Sequence, residues 1–454
     1  IQEILPLDTR VCEINEIGVV ADGGLEDKIA EIIRDAKGSI DISNKLMDVN
    51  VVRYDGKSYI VLVIHHLIVD GVTWSILLDD LTYIYNQMVS GDEISLSRPY
   101  PYKSWVEDVR CLLDEISEDE KNHWLEINAL LDDSTIKGIS KPYSFRVENL
   151  AYDIDNLLGL SEEEYLALAI ARAYKKTYEK DIIFNRESYG REESLADVNR
   201  TVGWFTTQYP VSVELSGDYG SVSLVLDAYK IKRAFNEISK LGLNYSSLIY
   251  NSHELELKHC PVTFNFLSTE FEFRNDLLKS FNLGLSTLEN DDNLSEFEHF
   301  GIDLNVYREN DDYLVEGSFA ENTYIGDGLS EFIGNIKDEL RFIADYDLGD
   351  SIGSILSESQ LGVYLDEKVN DMGTAYAVSG FIDCGLERSV DEIEDAVLAL
   401  IEKHPILKGH VIDNDEMPII LCDSVPSVER SDCGDYNSLI RPFDLEKSLS
   451  YFYV

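Results

Sequence analysis

Across 454 residues, 86 acidic side chains against 38 basic ones leave a formal net charge of −48. A field of that sign repels phosphate backbones and anionic lipid, so neither a nucleic acid nor a membrane is expected as partner. Hydrophobic residues make up 44% of the chain and proline only 10 positions, which predicts a packed protein of two to three folding units without a long disordered arm.

No apolar run reaches the ~18 residues of a membrane span and no signal-like segment opens the sequence, so a cytoplasmic location is expected. The cysteines (Cys12, Cys111, Cys260, Cys384, Cys422, Cys433) are scattered without a C-x-x-C pair. They predict neither a metal site nor a disulfide framework.

In chain order, strand-like and helix-like segments alternate, the pattern of an α/β or α+β protein. Ser58 to Ile64 is a nearly unbroken apolar run, which predicts a strand buried on both faces, and His65 and His66 follow at its end. Beyond Asp70 and Gly71, apolar residues at Trp74, Leu77, Leu78, Leu81, Ile84 and Tyr85 predict a helix from Val72 to Met88. Ser161 and Glu164 have the spacing of a capping box at the head of a helix running to Tyr178. A short strand, Asp181 to Asn185, should follow, then a charged loop from Arg186 to Glu192. Near the end, Ser389 to Glu402 is predicted helical.

Residues 40–47 (IDISNKLM) and 443–450 (FDLEKSLS) are an internal repeat. The first copy leads into the two histidines, whereas the second reaches Val454 before any such motif. Two tandem homologous units are therefore expected.

His65-His66-Leu67-Ile68-Val69-Asp70-Gly71 has the form His-His-x-x-x-Asp-Gly, and resembles the signature of the condensation superfamily of nonribosomal peptide synthetases. Glu187-Ser188-Tyr189-Gly190-Arg191-Glu192 and Thr201-Val202-Gly203-Trp204-Phe205-Thr206 resemble two blocks of that superfamily's epimerization domains. Phe264-Asn265-Phe266-Leu267 resembles a third, and the region of Leu243-Asn244-Tyr245 a fourth. Tyr189 stands where the family block has histidine, Ser188 where it has glycine, and Ser246 and Ser268 where glycine is common. From about Leu356, Ser357 to Gly362 and His404 to Lys408 resemble the opening blocks of a condensation domain.

The resemblance implies an α/β (α+β two-layer) fold of the chloramphenicol-acetyltransferase type, with two lobes around a tunnel. The first lobe, residues 1 to about 130, is expected to lack its beginning, and the second spans about 145 to 350. Residues 353–454 are expected to be the start of a following condensation domain. They should stand as a separate half-domain, with docking onto the first lobe as the alternative. The implied activity is L-to-D epimerization at the Cα of a carrier-bound aminoacyl or peptidyl thioester. The domain itself should bind no cofactor or metal, since the substrate rides on the phosphopantetheine arm of a peptidyl carrier protein. Neighbouring synthetase domains are the other expected partners.

His66 and Glu187 are the candidate catalytic residues, because removing and redelivering a Cα proton needs two opposed acid–base groups. Asp70 is expected to orient the loop through an arginine or backbone donors, Gly71 to let the chain turn into the helix, and His65 to pack or hydrogen-bond. Arg191, Gly203 and Trp204 complete the motif set. Tyr189, Tyr245 and Asn265 are candidates to line the substrate path, although burial preference favours a core role for Trp204 and Tyr245. The remaining histidines, His299 among them, lack such company and are taken as ordinary. Two rival functions stay open: condensation, which would not need Glu187, and a degenerate domain that only docks carriers.

Overall fold

The computed structural model describes residues 14–18, 24–112, 116–150, 158–191, 195–217, 221–236, 242–267, 298–309, 311–345, 353–370, 373–384, 388–413, 417–432 and 439–454. Ser268, Glu192, Cys12 and Cys433 lie outside them.

The first lobe contains β1 (Ile14–Gly18), α1 (Leu25–Ser39), β2 (Met47–Tyr54) and β3 (Lys57–Ile64), then α2 (Gly71–Ser90), α3 (Tyr102–Cys111) and α4 (Glu118–Leu130). Its strands form a sheet in the order β1-β2-β3, with β1 parallel and β3 antiparallel to β2. Asp55 and Gly56 both take positive φ (47° and 71°), the geometry of a two-residue hairpin turn between β2 and β3. Ile32 of α1 packs with Val52 and Val61 on one side of this sheet. The expectation that β3 is buried on both faces is corrected here. Val61 is its one buried residue and Ile60 remains 37% exposed, because among the described residues β3 pairs only with β2.

The second lobe runs through β4 (Lys137–Val147), α5 (Glu162–Tyr178), β5 (Ile182–Ser188), β6 (Thr207–Val213), α6 (Ser221–Asn236), α7 (Leu243–Tyr250), β7 (Val262–Leu267), β8 (Glu298–Phe300), β9 (Ile302–Glu309), β10 (Asp312–Glu321) and α8 (Tyr324–Ala344). Its seven strands lie in the order β6-β5-β7-β9-β10-β4-β8, so this sheet takes in residues from 137 onward, ahead of the expected boundary near 145. The Ser161/Glu164 capping box is formed, and Glu164 through Tyr174 of α5 are all buried. Small residues at Ala167, Ala169, Ala171 and Ala173 let neighbouring elements approach this central helix closely. Its one buried cation, Arg172, is matched by Asp227 of α6 at 2.5 Å and Glu339 of α8 at 2.8 Å.

The sheet is two-faced. Along β9, Ile302, Leu304 and Val306 are buried in the core with α5 and α8, while Asp303 and Asn305 point to the opposite face. Carried across by strand register, that second face holds Asn185, Glu187, Gln208, Thr263, Asn265, Asp303, Asn305 and Glu316. It is a polar, half-exposed surface on which a reaction could be arranged.

The trailing segment holds β11 (Gly353–Ile355), α9 (Glu358–Asn370), α10 (Val390–Lys403), β12 (His410–Ile412), β13 (Ile419–Leu421), β14 (Ser427–Glu429) and β15 (Tyr451–Tyr453). The sequence repeat is also a structural one. Asp41 O accepts from the backbone N–H groups of Asn44 and Lys45, and Asp444 O accepts from those of Lys447 and Ser448, at the matching places of the two copies. Each turn feeds the second strand of a parallel pair, β1 with β2 and β14 with β15. The β11-β13-β12 sheet packs its Ile419 and Leu421 on Leu226 of α6. The described contact of this segment is therefore with the second lobe, not with the first lobe that the docking alternative named. No helix among the described residues is long and apolar enough to cross a membrane.

Candidate active site

His66 opens a short 3-10 turn at the end of β3 and is exposed. The turn is shaped by its neighbour, since His65 Nδ1 accepts from the backbone N–H of Leu67 at 3.0 Å. The His66 ring meets the edge of the Trp204 indole, with centroids 5.4 Å apart. Trp204 is 42% exposed, a correction to the expected core role. Its backbone carbonyl is fixed by the Tyr102 hydroxyl at 2.7 Å, which leaves the indole at the surface beside the histidine.

Asp70 caps α2 through Thr73 N at 2.7 Å and also accepts from Phe205 N at 3.1 Å and from Arg191 Nη2 at 3.1 and 3.2 Å. Both members of this ion pair are buried. The other guanidinium edge, Nη1, donates to the carbonyls of Val198 and Thr201, and the group lies 4.0 Å over the Phe205 ring. Asp70 thus holds Arg191 and residues 198–205 against the head of α2. Gly71 does not act as expected. Its φ is not positive and a Cβ there would meet nothing within 4 Å, so the Asp70 cap makes the turn.

The two glycines that the backbone requires are elsewhere in the motifs. Gly190 has φ +60°, and a Cβ on it would fall 1.8 Å from Phe205 O, while one on Gly203 would fall 2.3 Å from the Tyr102 ring. Both allow the segment after β5 to fold back tightly on itself and on α3.

Glu187 lies on β5, not in a loop. The strand continues to Ser188 because Arg186 turns inward to Glu163 at 2.9 Å while Glu187 takes the polar face. Its carboxylate accepts from Gln208 Nε2 on the adjacent β6 at 2.6 Å. The Arg191–Asp70 pair joins its segment to that of His66, since Arg191 is four residues after Glu187 and Asp70 four after His66. Each such stretch spans at most about 14 Å of extended chain, so each candidate is tethered within that length of the same ion pair.

Of the other candidates, Asn265 lies on the polar face, one position beyond the Arg186–Phe264 pair. Tyr189 is 70% exposed. Tyr245 is buried against Trp124 at 5.1 Å between centroids, and its hydroxyl donates to Asn128 Oδ1. It is a core residue, in keeping with the pull of its apolar ring, and not part of a substrate path. Gln208, Asp303 and His299 belong to no sequence motif, although the alternation of β9 does mark Asp303 as facing away from the core. His299 Nε2 is buried and 3.4 Å from Asp303 Oδ2.

A family model described as Condensation domain matches residues 1–156. Bacitracin synthase 1 of Bacillus licheniformis is 26% identical over 363 residues, 74% of this chain and 7% of that relative. Gramicidin S synthase 1 of Brevibacillus brevis is 26% identical over 322 residues, 63% of this chain and 29% of that relative. Residues 1–156 thus match the condensation family, and the relatives the chain resembles are nonribosomal peptide synthetases. The chain spans only a small part of the length of these relatives. Within the superfamily, the epimerization domain from the third module of tyrocidine synthetase B is similar in structure with a TM-score of 0.59 at 20% identity, covering 75% of this chain and 81% of that one. A condensation domain that mediates chain release from the enacyloxin polyketide synthase gives 0.53 at 12% identity, covering 74% and 69%. The fold is therefore the chloramphenicol-acetyltransferase-like one of condensation domains, and both kinds of activity are housed on it.

Proposed function

We propose that residues 1–350 form an epimerization domain, which inverts the Cα of a carrier-bound aminoacyl or peptidyl thioester from L to D. The observation that carries this reading is Glu187 on the polar face of the second lobe's sheet, its segment tied by Arg191 and Asp70 to the loop that bears His66. A thioester delocalises the Cα carbanion as an enolate, yet the carbon acid still needs one group to take the proton and another to return it. His66 and Glu187 supply the two groups. Condensation requires the histidine but has no task for Glu187. The blocks around Glu187 and Trp204 support the same choice.

The substrate arrives on the phosphopantetheine arm of a peptidyl carrier protein, and the domain contributes no cofactor of its own. Neighbouring synthetase domains are its other partners, and residues 353–454 are the opening part of a following condensation domain. The test loads an L-aminoacyl thioester onto the carrier in D2O. Expected is Cα deuterium uptake with drift to an L/D mixture, and Glu187→Gln should slow it at least ~10²-fold. Undiminished conversion in that variant would remove Glu187 from the reaction, and a parent that exchanges no Cα proton would return the function to condensation.

A further inference from the structure

No sequence motif marks His299 or Asp303, yet the fold brings them together on the Glu187 face. By register, Asn185, Thr263 and Asp303 are one row across three parallel strands. Asn185 Nδ2 donates to Thr263 Oγ1 at 3.5 Å, and Thr263 is the residue beside Asp303 in the strand register. His299, in the middle of β8, reaches Asp303 Oδ2 at 3.4 Å with its buried Nε2, which has no hydrogen bond otherwise. Glu187 is the next residue on the same face of β5 after Asn185.

Burial pushes the Asp303 carboxyl up from its ordinary range, His299 and the Thr263 hydroxyl draw it back, and Glu187 pushes it further up. The other titratable groups facing this row are Tyr143, whose hydroxyl donates to the Asp303 backbone carbonyl, and Glu316 on β10 opposite Asn305. We propose that His299 and Asp303 form an electrostatic positioning pair for Glu187, whose charge state sets how readily that face gives up and takes back the Cα proton. This rests on the epimerization reading. With His299 neutral, the Asp303 carboxylate adds a negative charge to the face and favours a protonated partner. With His299 protonated, the pair is neutral and that bias is gone.

Two measurements on the full chain test the pair. Carboxyl 13C NMR follows Asp303 across pH, its signal assigned by loss in Asp303→Asn, and it should titrate at lower pH in Glu187→Gln than in the parent. The pH profile of Cα deuterium exchange should then move its acid-side limb down by roughly half to one pH unit in Asp303→Asn, and up in His299→Gln. Opposed shifts are a signature that a merely structural role does not give. Limbs that stay put or move the same way, with Asp303 indifferent to Glu187, overturn the pair. If Asp303 responds to Glu187 but the parent exchanges no Cα proton, the pair stands and the epimerization reading falls. If the parent exchanges normally and nothing shifts, the reverse holds. The NMR arm needs Glu187→Gln and, for assignment, Asp303→Asn, so it survives a failure of His299→Gln to fold.

Discussion

Replacing Arg191 by methionine keeps most of the side-chain volume and removes the cation that faces Asp70. Asp70 would keep its bonds from Thr73 and Phe205 N–H but lose both contacts with Nη2, while the carbonyls of Val198 and Thr201 would lose their donor. Breaking a buried pair on one side costs about 3–5 kcal/mol, because the remaining charge stays out of water uncompensated. Asp70→Asn should cost a similar amount. Asparagine still caps α2, since it caps helices as well as aspartate does, and only the charge on Arg191 is left exposed to the low-dielectric interior. The double variant should be less destabilised than the sum of the two by at least ~2 kcal/mol, the mark of directly coupled residues. Urea unfolding followed by tryptophan fluorescence reads this, with Trp204 and Trp105 both packed at this junction. A loss below ~1 kcal/mol in each single variant, or strict additivity, would refute the idea that this pair fastens the two lobes.

Gly190→Ala should sharply reduce folded protein, since its Cβ would strike Phe205 O at a positive φ, whereas Gly71→Ala should be neutral or stabilise by up to ~1 kcal/mol. Soluble yield and melting temperature compare the two, and equal behaviour would contradict the geometry. Leu226→Asp should release the trailing sheet from α6, raising amide exchange at residues 419–421 while the α5 amides stay protected; unchanged exchange would mean that the contact does not hold that segment. Among the described cysteines, Cys111 and Cys384 should alkylate first near neutral pH and Cys260 last, because burial pushes its thiol far above the ordinary range and the thiolate is the reactive form. Peptide mass mapping after timed alkylation checks the order.

What could be read in advance was what local chemistry decides. The capping box of Ser161 with Glu164 sits where its spacing places it, and the helix expected from Ser389 forms over Val390–Lys403, because in each the side chains satisfy helix N–H groups within one turn. The IDISNKLM and FDLEKSLS repeat was legible because the same turn bonds form in each copy. Misread were features decided by distant neighbours. The charges of Arg186 and Glu187 suggested a loop, but Glu163 draws one inward and Gln208 holds the other on the strand's open face. Trp204 looked like core and Gly71 like a hinge, and only the placement of Tyr102 and the Asp70 cap shows otherwise. The His299–Asp303 pair carries no motif at all and depends on the register of β7 and β9.

The most direct measurement follows Cα deuterium uptake from the L and the D carrier-bound thioester separately, in the parent, His66→Gln and Glu187→Gln. With two opposed groups, each able to take the proton from one face, the parent should exchange both enantiomers. Each variant should keep uptake from one enantiomer while losing at least ~10²-fold on the other, and the two variants should spare opposite ones. Variants that lose or keep both enantiomers alike would contradict the assignment of His66 and Glu187 to opposite faces of one Cα.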